Sequence, residues 1–102
     1  PLLQREDGKL SFNRSADVLA RKVRAYDPWP GTFTSWKGQR LIIHKAHAEP
    51  VTSPGIGVLS TIEEKPAIGT SQGILVLDKV QPAGKRAMSG EDFLHGAKDW
   101  VT

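Results

Sequence analysis

Residues 32–46 read Thr32-Phe33-Thr34-Ser35-Trp36-Lys37-Gly38-Gln39-Arg40-Leu41-Ile42-Ile43-His44-Lys45-Ala46. β-Branched and aromatic residues stand on both sides of Lys37-Gly38, so the stretch predicts a β-hairpin with strands at Thr32 to Trp36 and Arg40 to Ala46. Immediately upstream, Asp27-Pro28-Trp29-Pro30-Gly31 cannot continue a helix, because proline lacks the N–H donor. What it stops is a predicted helix from Ser15 to Tyr26. There Ala16, Leu19, Ala20, Val23 and Tyr26 recur at the three-and-four spacing of one helical face, with Ser15 placed to cap it and Asp17 at the positive end of its dipole. Farther upstream, Gln4 to Lys9 is polar and carries Asp7-Gly8 ahead of the alternation Leu10, Ser11, Phe12, which predicts an opening hairpin or turn.

Downstream, Pro50, Ser53, Pro54 and Gly55 predict a loop over 47–55. Short strands are expected at Gly57 to Ile62 and Ala67 to Thr70, and Ser71-Gln72-Gly73 turns the chain into Ile74 to Val80. Near the end, Ser89 and Asp92 stand at capping-box spacing and Gly96 suits a left-handed stop, so a short closing helix is expected. The result is a mainly β domain with short helices, its five or six strands broken by glycine and proline as in a small barrel or sandwich.

Composition agrees. The 102 residues, with 38% hydrophobic and 25% charged side chains, supply one core and not two, and they are too apolar for a disordered tail. Leu41 to Ile43 and Ile74 to Leu77 are of strand size, far short of the roughly 20 residues of a membrane helix. A soluble chain with no membrane partner is expected. Zero cysteines exclude a disulfide framework and agree with a reducing compartment, here the cytoplasm. A first residue Pro1, with no basic and apolar leader behind it, suggests a piece of a longer protein.

Catalytic signatures are missing from the sequence: it holds no Walker loop, dinucleotide fingerprint or nucleophile elbow. His44, His47 and His95 have no metal-ligand spacing. On a regular strand the first two would point to opposite faces, and all three read as solvated or singly hydrogen-bonded. Glu63-Glu64 reads as exposed turn charge. The cations are more telling, because they group. Arg14, Arg21, Lys22 and Arg24 lie on and before the first helix, and Lys79, Lys85 and Arg86 surround Gln81-Pro82-Ala83-Gly84. Grouped cations gain from counterion release at a phosphate backbone, so nucleic acid is a candidate partner, beside the plainer reading of these cations as a solvated helix face. Trp29, held between prolines, is expected to plug the space beneath the helix, with a stacking platform for a base as the alternative, and Trp36 and Trp100 are expected to be buried likewise. A buried Trp29 would lose about 3–5 kcal/mol on truncation to alanine.

Two stretches are more specific than this: Arg21-Lys22-Val23-Arg24-Ala25-Tyr26-Asp27-Pro28-Trp29-Pro30-Gly31 and Val80-Gln81-Pro82-Ala83-Gly84-Lys85-Arg86-Ala87-Met88. In this order they resemble the C-terminal domain of methionyl-tRNA formyltransferase. Asp7 to Leu10, Gly69-Thr70, Gly73 to Leu75, and Asp92 to Leu94 with Gly96 extend the likeness over nearly the whole chain. The resemblance implies a small β-barrel related to the OB-fold spanning residues 1–102. It implies a Rossmann-like N-terminal domain, absent from this sequence, that uses 10-formyltetrahydrofolate to formylate methionine esterified to initiator tRNA. The family's catalytic Asn, His and Asp belong to that domain and match no position here, so this chain alone should be inactive and hold no cofactor of its own.

In this reading Arg21, Lys22, Arg24, Lys85 and Arg86 face the tRNA, with Arg14 and Lys79 as weaker candidates, and Arg24 has an alternative role in pairing with Asp27. The partners implied are initiator tRNA carrying methionine and the N-terminal catalytic domain, with the protein a monomer. Two alternatives stay open. One is the barrel of a nucleotide-sugar formyltransferase, which shares a version of Asp-Pro-Trp-Pro-Gly; the other is a free-standing OB-like nucleic-acid-binding module. Formyltetrahydrofolate dehydrogenases also carry a related domain, with a poorer match at Trp29 to Gly31.

Overall fold

In the computed structural model, which describes residues 3–101, the predicted helix and hairpin are both present. Pro1, on which the reading as a piece of a longer chain rests, lies outside the described residues. Helix α1 (Ala16–Tyr26) is capped by Ser15, whose hydroxyl accepts the Val18 N–H. It buries Ala16, Leu19, Ala20 and Val23. The sheet is built from β1 (Thr32–Trp36), β2 (Gln39–Glu49), β3 (Leu59–Ile62), β4 (Lys65–Gly69) and β5 (Ile74–Pro82), all antiparallel in the order β1-β2-β5-β4-β3. Helix α2 (Gly90–Gly96) closes the chain, and the Ser89 hydroxyl accepts the Asp92 N–H at its start.

Several details depart from expectation. Of the two forms expected for the opening segment it takes the turn, a 3-10 turn at Arg5–Gly8. It docks through Leu10 N–H, which donates to the Phe33 carbonyl. A side chain at Gly8 would collide with the Gly31 carbonyl oxygen, so only glycine lets the turn lie against the segment that follows α1. Strand β2 runs on to Glu49 through what reads as loop. A two-residue strand β6 (Met88–Ser89) pairs with β5. It continues the side of β5 that β4 occupies farther back, at Ile74 to Val76. Gly96 is not in the left-handed region; the helix ends at Ala97 instead, whose N–H donates to the Leu94 carbonyl. The β3–β4 turn does need positive φ, 49° at Glu63 and 65° at Glu64, and both are exposed.

The sheet is barrel-like but open. Among the described residues no backbone ladder joins the edge strands β1 and β3. Side chains join them instead. Trp100, 1% exposed, packs against Trp36 of β1 with ring centroids 5.5 Å apart and the planes inclined at 51°, and its indole N–H donates to the Ser60 carbonyl of β3 at 2.8 Å. Phe93 of α2 completes the cluster edge-on to both rings, 5.4 Å from Trp36 and 5.6 Å from Trp100. One core therefore fills the concave side, with Leu19 and Val23 of α1 against Leu41, Ile43, Leu75 and Leu77 of the sheet. Ala67, Ile74 and Val76 form a smaller cluster on the other face.

Candidate nucleic-acid interface

The β2–β5 ladder is the axis along which the charged groups are arranged. Its register runs from Leu41↔Pro82 to Glu49↔Ile74, roughly 25 Å at about 3.3 Å per residue. In the middle it is irregular on both strands: Ile43 and Ala46 both face the core, and so do Leu77 and Val80, although an odd number of steps separates each pair. His44-Lys45 and Asp78-Lys79 therefore both lie on the outer side. This corrects the expectation that His44 and His47 occupy opposite faces. Both reach partners on β5, His44 meeting the Gln81 side chain at 2.9 Å and His47 meeting Asp78 at 2.7 Å.

His47 is also more than singly bonded. Nδ1 faces Asp78 and Nε2 faces Glu49 at 3.1 Å, and only the imidazolium donates to two carboxylates at once. Lys65 donates to the second Asp78 oxygen at 2.8 Å. The hydrogen bond to Asp78 is the main cause that raises the His47 pKa above 6.5; partial burial opposes it, and the charges of Asp78 and Glu49 add to it. A raised folded-state pKa stabilises below the unfolded value near 6.5, and the contribution disappears as pH climbs through the folded value. Relative to His47→Gln, the native chain should therefore be more stable at about pH 6, with the gap closing by about pH 9. With the ring 41% exposed the gap should stay under about 1 kcal/mol. Urea melts at the two pH values check this, and parallel pH dependence in both proteins would refute it.

At the Leu41↔Pro82 end the cations gather. Arg40 forms the common wall of two clefts. One, of about 370 Å³, lies between the β1–β2 turn and the loop after β5 and is lined by Trp36, Lys37, Gln39, Arg40, Pro82 and Lys85 among others. The second, of about 270 Å³, is lined by Arg5, Trp29, Phe33 and Arg40 with Pro28 and Pro30. Arg40 lies over the Phe33 ring at 3.8 Å and donates to Glu6 at 3.0 Å; Lys37 sits over Trp36 and pairs with Asp99. Lys85 and Arg86 are exposed, and neither forms an ion pair among the described residues.

A polar relay ties the end of α1 to this region. Asp27 stands 3.8 Å from the His44 ring, His44 meets Gln81, and the Gln81 amide donates to the Lys85 carbonyl at 3.0 Å. Arg24 lines the cleft at the start of the relay with Asp27, His44 and Lys45. Arg21, three residues before Arg24 on α1, is exposed, whereas Lys22 is half-buried with its ammonium 5.1 Å from the Tyr26 ring centroid. Lys79 is exposed directly opposite Lys45 in the ladder, two like charges side by side with no ion pair among the described residues.

Arg14 is not brought to this group. Its carbonyl accepts from Ser71 at the opposite end of the ladder, where Asp17 and Glu49 line a cleft with Gly73. Sequence grouping missed Arg5, Lys37 and Arg40, which the docking of the opening turn and the β1–β2 register bring together, and Lys45, which the β2–β5 register places opposite Lys79. The Lys37-Gly38 turn was the available signal, since it places Arg40 near whatever strand pairs next.

Trp29 is the largest correction. It does not plug the core but is 57% exposed, while Trp100 is buried as expected and Trp36 is only partly buried against the same core. Gly31 N–H donates to the Tyr26 carbonyl at 2.8 Å and turns the segment outward, and the core beneath α1 is already filled by the sheet. The stability loss expected of a buried Trp29 therefore does not apply.

Comparison with known proteins agrees with this architecture. The family model described as formyl transferase, C-terminal domain, matches residues 2–98. The chain is 38% identical over 98 residues to the methionyl-tRNA formyltransferase of Myxococcus xanthus, which covers 96% of this chain and 31% of that protein. It is 42% identical over 101 residues to the enzyme of that name from Bacillus pumilus, covering 95% of this chain and 32% of that one. The chain thus spans about a third of the length of these curated relatives. Among solved structures, a HypX variant from Aquifex aeolicus superposes with a TM-score of 0.77 at 19% identity, over 100% of this chain and 19% of that one, which shows a shared fold. No helix among the described residues is long and apolar enough to cross a membrane. With the family model covering all but a few residues, the two quoted motifs in place and the fold shared, the chain belongs to the formyl transferase C-terminal domain family.

Proposed function

We propose that this chain is the tRNA-gripping C-terminal domain of a methionyl-tRNA formyltransferase. In this reading the catalytic domain, the 10-formyltetrahydrofolate and the formyl-transfer chemistry belong to the remainder of a longer cytoplasmic protein. The observation that carries it is the convergence at one end of the β2–β5 ladder of Arg5, Lys37, Arg40 and Lys85, linked by the His44–Gln81 relay to Arg24. Identity of 38–42% to proteins of that name supports the assignment.

The division of labour is physical. Phosphate contacts are largely blind to sequence, so this face supplies affinity and register, and a distant grip places the acceptor end where the other domain reacts. Of the sequence-chosen cations, Arg24, Lys85 and Arg86 are proposed as principal contacts. Arg21 extends the face along α1, Lys79 extends it along β5, and Lys22 contributes least because its charge is already engaged with Tyr26.

The test uses the full-length enzyme. Lys85→Ala with Arg86→Ala should raise KM for methionyl-tRNA about ten-fold, the equivalent of about 1.4 kcal/mol, and leave KM for the folate unchanged. An unaltered KM for tRNA, or an equal loss with a nucleotide-sugar substrate, would contradict the proposal.

A further inference from the structure

Trp29 has no structural duty that its exposure would not weaken. Its ring is 57% exposed, bracketed by Pro28 and Pro30, in a cleft of about 270 Å³ whose other walls include Arg5, Phe33 and Arg40. A cleft just below the range of drug-sized pockets, about 300–1,000 Å³, suits one flat ring system. The walls combine an aromatic face with two guanidinium groups, the pairing that recognises a base together with its phosphate. Arg40 is already held over the Phe33 ring, 3.8 Å from its centroid, with one donor engaged by Glu6. The carboxylate that engages it, Glu6, is 73% exposed and gives way to a stronger anion at little cost. Arg40 also walls the Lys85 cleft, which makes the Trp29 site continuous with the proposed phosphate-binding end.

We infer that the Trp29 cleft stacks one unpaired base of the bound RNA, with Arg5 and Arg40 on the adjoining phosphates. This rests on the reading of that end as an RNA grip and adds to it a preference: duplex binding through cations alone has no use for an exposed indole, whereas a splayed base has a π-face for it. The cleft is thus a single-strand sensor beside a backbone clamp.

The experiment measures binding of the chain to two RNA probes of equal charge, a short single strand and a blunt duplex, at one low salt concentration. It compares the native chain with Trp29→Leu, Trp29→Phe and the Lys85→Ala, Arg86→Ala pair. Trp29→Leu should weaken single-strand binding about ten-fold and leave duplex binding unchanged, with Trp29→Phe restoring most of the loss. The lysine–arginine pair should weaken both probes alike. If Trp29→Leu leaves both affinities unchanged while the pair lowers both, the base-stacking inference is wrong, the grip stands and the indole belongs to a protein contact. If the native chain binds neither probe, the grip and the stacking site fail together. Melting temperatures of the Trp29 variants should match the native chain, so lost binding would not reflect lost folding.

Discussion

Replacing Trp100 by alanine should destabilise the domain by about 3–5 kcal/mol, because the indole is 1% exposed and both its rings and its N–H are engaged. The reason lies in the open sheet. Among the described residues no ladder joins β1 to β3, so Trp100 does the joining: its ring packs tilted against Trp36 on one side and its N–H donates to the Ser60 carbonyl on the other. Its loss opens a cavity beside Phe93 and leaves the Ser60 carbonyl without its donor. Against a total stability of about 5–15 kcal/mol this is a large fraction, and the melting temperature should fall on the order of 20 °C. Trp100→Phe keeps the ring contacts and loses the hydrogen bond, so it should cost roughly 1–2 kcal/mol. Thermal and urea denaturation followed by circular dichroism measure both. A Trp100→Ala protein that melts within a few degrees of the native chain would mean the edge strands are held some other way.

The elements that depend on neighbours in sequence were legible from it. The three-and-four spacing from Ala16 to Val23 and the Lys37-Gly38 turn gave α1, β1 and the start of β2 nearly to the residue. What escaped depends on distant partners. Strand β2 runs to Glu49 because Ile74 and Leu75 pair with its end, and β6 exists only because Val80 and Lys79 offer it an edge. The matched irregularity at Ile43 to Ala46 and Leu77 to Val80 inverts the expected direction of His47, and strict alternation cannot reveal that. Trp29 shows the same limit. Its proline neighbours say that the ring is held but not where it points, and the turn to the Tyr26 carbonyl decides that.

The candidate site divides in the same way. Lys85, Arg86 and Arg24 could be chosen because they stand in motifs. Arg5 and Arg40 could not, since only the docking of the opening turn against Gly31 and the β1–β2 register bring them beside Trp29. Arg14 shows that nearness in sequence is not nearness on the surface, for it lies at the acidic end of the ladder with Asp17 and Glu49.

The second large effect is that of salt on RNA binding. A cation that reaches a phosphate releases a condensed counterion, and the three principal contacts, Arg24, Lys85 and Arg86, by themselves should make the logarithm of affinity fall against the logarithm of salt with a slope near −2 to −3, steeper where Arg5 and Arg40 add theirs. A ten-fold rise in salt then costs about a hundred- to a thousand-fold in affinity. Lys85→Ala with Arg86→Ala removes two of the proposed contacts and should make the slope shallower by about 1.4–1.8. Direct titration of this chain with initiator tRNA from roughly 50 to 500 mM potassium chloride measures both slopes. The account predicts a steep native line flattened by the paired substitution; affinity that holds constant across the range, or a slope the substitution leaves untouched, would contradict it.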